Sequence, residues 1–237
     1  MQRHYFGDIN DYRKYILLRK FLKSGGLRIA FCWMLRHDDT RNDGQDRRYL
    51  ANEARWKHLD PALYRFLKAA CDQDPSSGIK RIENSDLLRG CCFHGAELKP
   101  AKEERARYMS GFLKMAKDHR AQLAFYDSDN GVEVDSVPIG SLRSPKYLYW
   151  HEIEEAYSQR MSLLVLQFFP HELHPDFIRR RRREIADHTG SKNVLAYDAR
   201  RVCYFLAAHE EHLAAIEATN RAIERDETSK QIHIIPH

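Results

Sequence analysis

Residues Leu123–Asp135 read LAFYDSDNGVEVD. Four apolar or aromatic residues, Leu123–Tyr126, run straight into Asp127, Ser128, Asp129, Asn130 and Gly131, with Glu133 and Asp135 close behind. A short apolar run closed by turn residues is the pattern of a strand buried on both faces. Such strands belong to parallel sheets covered by helices, and in open sheets of that kind ligands bind beyond the C-terminal strand ends. Acids placed directly after such a strand therefore line a crevice. The plainer alternative is a turn, which Asp, Ser, Asn and Gly also build.

Two more segments repeat the pattern. Leu27–Leu35 is an apolar run that leads into His37, Asp38 and Asp39, and Ser162–Phe169 is closed by Pro170 and followed by His171 and Glu172. Three strand ends thus carry acids or imidazoles. Between and around them, helical spacing predicts helices over Asp11–Lys23, Leu50–Cys71, Pro100–His119, Tyr147–Arg160, Asp176–His188 and Glu210–Arg225. The helix over Leu50–Cys71 restarts at Asp60-Pro61, where Asp can cap and Pro can open the first turn. Short strands are predicted at Gln122–Tyr126, Ile79–Glu83, Cys91–Leu98, Asn193–Tyr197, Arg201–Ala207 and Gln231–Ile235. Alternating helices and strands predict an α/β, Rossmann-like fold with a largely parallel sheet flanked by helices. The 237 residues are read as a single α/β domain, 1–237, with a helical insertion at roughly 45–75.

Composition narrows the class. With 43% apolar and 31% charged residues the chain is neither disordered nor membrane-embedded in composition. The longest apolar run, Met161–Pro170, is too short to span a bilayer and contains Gln167. No apolar segment follows Arg3 and His4, so no secretory signal is expected and the cytoplasm is the expected location. Five cysteines without C-x-x-C spacing, two of them adjacent, predict buried thiols rather than disulfides or zinc ligands. The net charge is +5, and Arg179, Arg180, Arg181, Arg182 and Arg183 form an unbroken run. That run is a candidate nucleic-acid or nucleotide contact; a solvated helix face is the alternative.

Familiar motifs are missing. There is no G-x-G-x-x-G, no G-x-x-x-x-G-K-[ST] and no G-x-S-x-G. His209 and His212 are too close for H-E-x-x-H. The acid cluster fits an EF-hand poorly, because Gly131 is the fifth residue from Asp127 rather than the sixth. Clustered carboxylates remain able to bind a hard cation, act as acid and base, or hold an amine.

Three stretches carry a resemblance: GDINDYRKY (Gly7–Tyr15), DRRYLANEARW (Asp46–Trp56) and LAFYDSDNG (Leu123–Gly131). Together they resemble RlmJ-type ribosomal RNA adenine methyltransferases, in which a strand precedes D-P-P-Y. They also resemble a bacterial family with G-D-x-x-D-Y-x-K-Y and D-P-D-N-G-x-E motifs and no activity to transfer. The resemblance implies a Rossmann-like methyltransferase fold, S-adenosylmethionine as cofactor and an adenine amine as acceptor. Asp127 takes the place of the family's catalytic Asp, with Asp129, Asn130 and Glu133 beside it. Lys14 and Tyr15 take the place of its cofactor-contacting segment, and His37 and Asp38, in the crevice after the first strand, are candidate cofactor contacts with them. Ser128 and Asp129 stand where the family has prolines, and Asn130 where it has an aromatic. Stacking on a base would then fall to Tyr126 or Tyr149. No glycine follows the first strand until Gly44.

Three functions are therefore carried forward. The first is a methyltransferase-like enzyme acting on a nucleic acid or nucleotide, in bacterial modification or defence. The second is a nuclease or phosphohydrolase in which Asp127, Asp129 and Glu133 hold Mg²⁺ or Mn²⁺. The third is a catalytically silent relative that binds nucleic acid or protein.

Overall fold

The computed structural model describes residues 2–37 and 45–236. The first helix, α1 (Ile9–Lys23), is capped by Asp8, whose carboxylate accepts from the Asp11 amide. Strand β1 (Ile29–Cys32) follows. Helices α2 (Glu53–Trp56), α3 (Pro61–Gln73) and α4 (Gly78–Glu83) then precede β2 (Cys91–His94) and α5 (Lys102–Asp118). Strand β3 (Leu123–Tyr126) leads to two short strands, β4 (Gly131–Val132) and β5 (Tyr147–Leu148), and to α6 (Trp150–Ser158). The chain ends with β6 (Ser162–Phe168), α7 (His174–Thr189), β7 (Asn193–Asp198), β8 (Val202–Ala208), α8 (Leu213–Glu224) and β9 (His233–Ile235).

A seven-stranded sheet has the order β2-β1-β3-β6-β8-β7-β9. The first four strands pair in parallel; β8 runs against both of its neighbours, and β9 against β7. Only a few residues join β7 to β8, too few for a crossover, so the two must form a hairpin. Arg200 takes a left-handed conformation there (φ 75°), and its amide donates to Asp198 Oδ1. The sheet is thus parallel where the crevice lies and antiparallel toward its C-terminal edge.

Side-chain alternation along the strands sorts the core into two layers. Ile29, Phe31, Leu123, Phe125 and Leu164 face a cluster built with α1, α3, α4 and α8. Ala30, Cys32, Ala124, Tyr126 and Val165 face α5, α6 and α7 on the other side. The helical segment after β1 is part of the first layer, since Tyr49, Trp56, Leu63 and Tyr64 pack with Tyr12 and Phe31 in one cluster.

Two local expectations are corrected. Residues Ile79–Glu83 are helix, not strand: Ile79 and Ile82 lie one helical turn apart on a buried face, and burying that face outweighs the β preference of isoleucine. Tyr147 and Leu148, predicted as helix, instead pair with Gly131 and Val132, and the helix starts at Trp150, where the Glu152 carboxylate accepts from the Tyr149 amide. At Asp60 the restart is as read, with its carboxylate accepting from the Leu63 amide and Pro61 in the first turn. Among the described residues, no helix is long and apolar enough to cross a membrane.

Candidate functional site

The strand order places β1 next to β3, while β2 lies on the other side of β1. The chain therefore turns in opposite directions after β1 and β3, and that divergence opens a crevice at their C-terminal ends. A cavity of about 610 Å³ occupies it, a volume suited to a nucleoside-sized ligand. Residues from three adjacent strand ends meet there: Arg36 after β1, Asp127 to Asn130 after β3, and Phe168, Phe169 and His171 at the end of β6. The N-terminal turns of α1 close one wall with Asp8, Asn10, Asp11 and Lys14.

The acidic stretch is built into this wall residue by residue. Asp127 is 3% exposed, and its Oδ2 accepts a hydrogen bond of 2.7 Å from Lys14 Nζ. The same ammonium lies 2.6 Å from Asp11 Oδ1. Burial drives the Asp127 carboxyl upward and Lys14 opposes it, leaving its pKa raised. For Lys14 the two carboxylates outweigh burial, so the ammonium is held charged. Asp129 pairs with Arg36; burial pushes its carboxyl up, but the neighbouring positive charges, Arg36 among them, hold it below the usual range. Ser128 Oγ donates to the Leu166 carbonyl at 3.2 Å, tying the loop to β6.

The next turn depends on Gly131. It has φ 104°, and a Cβ there would overlap the Gln167 side-chain amide. That amide donates to the Asn130 carbonyl at 2.8 Å and accepts from the Val132 amide at 2.9 Å. Gln167, the polar interruption in an apolar strand, thus holds the loop in place. Glu133 lies outside the cavity lining and accepts from the Trp150 amide at 2.6 Å, at the start of α6. Asp135 is exposed. The opposite loop is fixed by buried Arg105, which binds Glu152 at 2.6 and 2.8 Å and donates to the Ser144 and Tyr147 carbonyls. From that loop Arg143 and Lys146 reach the cavity.

Of the residues singled out from sequence, Lys14, Asp127, Asp129 and Asn130 meet in the crevice. Tyr15 does not; it is buried in the core behind Lys14. His37 is exposed and outside the lining, and Asp38 lies outside the described residues. Tyr126 and Tyr149 are buried away from the cavity, Tyr126 against Phe112 and Tyr149 with its hydroxyl on the Val137 carbonyl. The aromatic faces in the lining belong instead to Tyr5, Phe168 and Phe169. Arg36 and the aromatic pair were missed from sequence. The usable signal was their place immediately after predicted strands.

The arginine run wraps around α7 and does not form one patch, because successive helical residues point about 100° apart. Arg179 pairs with Asp176 and Arg180 with Glu172. Arg181 is buried against Trp150 and Phe177, and Arg182 donates to the Val194 and Pro236 carbonyls. Arg183 is exposed.

Among the described residues, no group of three or more His, Cys, Asp or Glu is arranged to hold a metal ion. At the acid cluster, the position between Asp11 and Asp127 is taken by the Lys14 ammonium. Comparison with protein-family models, curated proteins and solved structures returns no match to this chain.

Proposed function

We propose that the crevice binds the base of a nucleotide or nucleic acid, and that the chain is a methyltransferase-like enzyme with an adenine amine as acceptor. The observation that carries this reading is Asp127. It stands at the C-terminal end of β3, beside the point where the chain diverges, and opens on a nucleoside-sized cavity. A carboxylate there accepts hydrogen bonds from an exocyclic amine. Lys14 supports that role by favouring the ionised form against the cost of burial. Phe168, Phe169 and Tyr5 supply the π-faces that a base taken out of its stack requires.

The residues fit the acceptor better than the cofactor. The turn after β1 offers no glycine cradle for S-adenosylmethionine. Trp33 and Leu35 there are buried in the core, and Leu35 pairs with Glu97. The metal-dependent alternative is disfavoured because Lys14 already pairs with Asp127, Arg36 with Asp129, and Glu133 lies outside the cavity lining.

The test is a calorimetric titration with S-adenosylmethionine, S-adenosylhomocysteine, adenosine monophosphate and adenine-containing oligonucleotides, on the wild type and on Asp127→Asn. Adenine ligands should bind the wild type and weaken by about tenfold in the variant, the loss of a charged hydrogen bond. Binding of the adenosyl compounds would support methyl transfer, and their failure to bind while adenosine monophosphate binds would remove that part of the reading. Wild-type indifference to every adenine ligand would overturn it.

A further inference from the structure

A second cavity, of about 370 Å³, opens on another face of α1. Asp8, Asp11 and Lys14 form the stripe that lines the crevice, and Ile9 and Arg13 form a neighbouring stripe that lines this cavity. Four arginines and one aspartate surround it: Arg13, Arg48, Arg55 and Arg201 against Asp46. Arg48 grips Asp46 through two hydrogen bonds of 2.9 and 2.8 Å and holds its carboxyl down at about 2, and Arg201 stands more loosely 3.7 Å from it.

Arg13 is the unexplained group. It is 6% exposed, and its buried Nε has no hydrogen-bond partner among the described residues. Its Nη2 donates to the neutral Gln231 amide at 3.1 Å. The Arg13 and Arg55 guanidinium groups stand 5.7 and 5.5 Å from the centre of the Trp56 ring. Burial, together with the nearby Arg200 and Arg201 charges, draws the Arg13 pKa below its ordinary value. A buried cation facing like charges is costly unless an anion joins it. The β7–β8 turn that supplies Arg201 lies at the same sheet edge as the crevice, because β7 runs in the direction of β3 and β6.

We propose that this cavity is a phosphate site, in which Arg13, Arg55 and Arg201 receive a phosphate of the nucleotide or nucleic-acid strand whose base lies in the crevice across α1. The link to a base rests on the function proposed above; the phosphate site does not. Guanidinium groups suit phosphate because their fork of donors matches its oxygens.

The test is a thermal-shift and tryptophan-fluorescence titration with pyrophosphate, set against sodium chloride at equal ionic strength. The proteins are the wild type, Asp127→Asn, Arg13→Lys and the double variant Arg55→Gln/Arg201→Gln, whose changes are on exposed side chains. Pyrophosphate should stabilise the wild type beyond the salt control. The double variant should lose about tenfold in affinity, and Arg13→Lys should weaken binding as well. Asp127→Asn should bind pyrophosphate as the wild type does, so a failed crevice reading leaves this site standing. Adenosine monophosphate and a single-stranded oligonucleotide then separate the sources. A strand is indicated by tighter oligonucleotide binding with a salt slope that falls by about 0.7 for each phosphate no longer neutralised. A wild-type response no larger than that to chloride, or equal responses in the wild type and the double variant, would overturn the site.

Discussion

At the residue scale, the crevice stores electrostatic tension that solution experiments can read. Lys14 is 1% exposed and serves Asp11 and Asp127 together. Replacing it with Met keeps the volume and strands two buried carboxylates, so Lys14→Met should cost about 3–5 kcal/mol in denaturant unfolding. Asp8 gives a pH signature. Burial, then the Asp11 charge, pushes its carboxyl up to about 7. Because the folded pKa lies above the unfolded one, the folded state binds the proton more tightly. That contribution to stability is complete below about pH 4 and is lost as the pH rises through about 7. Asn caps helices as well as Asp does. The melting temperature of Asp8→Asn should therefore gain on that of the wild type as the pH is raised from 4 to 8; parallel profiles would remove Asp8 from this role.

At the element scale, the loop after β3 is held by backbone geometry as much as by charge. Gly131 has φ 104° and lies against Gln167. Gly131→Ala adds a Cβ to a left-handed residue and overlaps that amide, so it should cost about 1–3 kcal/mol. Adding Gln167→Ala should not restore stability, since the backbone strain remains and the bonds to Asn130 and Val132 disappear. Urea midpoints of the two variants and the wild type check both points. Asp60 joins two elements, capping α3 and pairing with Arg19 at 2.6 Å. Asp60→Ala should cost more than the ~1 kcal/mol of a cap alone.

At the scale of the whole molecule, the helical segment between β1 and β2 shares its core with α1 and the sheet. Trp56 lies in that segment, whereas Trp150 begins α6 in the layer on the opposite sheet face. Unfolding followed by tryptophan fluorescence and by far-ultraviolet circular dichroism should coincide in one transition. Separate midpoints would show the segment melting on its own. The arginine-rich helix contributes ion pairs and carbonyl bonds to this fold, while the cavity beside Arg13 gathers cations from distant segments.

The apolar runs at Leu27–Leu35, Gln122–Tyr126 and Ser162–Phe169 were legible as buried strands because burial on both faces leaves an unbroken apolar signature. The same local rule put Asp127 beyond a strand end. Strand order was not legible, since pairing joins residues far apart in the chain and leaves no periodic trace. That order brought Arg36, Asp127 and Phe168 to one crevice and turned β8 against its neighbours. Asp11 meets Lys14 one turn away on the same helix, but tertiary packing brought Asp127 to that ammonium and set the adjacent Arg13 in a cavity with three more arginines. Sequence alone determined which segments could be buried. What each buried charge meets depends on which distant segments fold against it, and only the tertiary structure decides that.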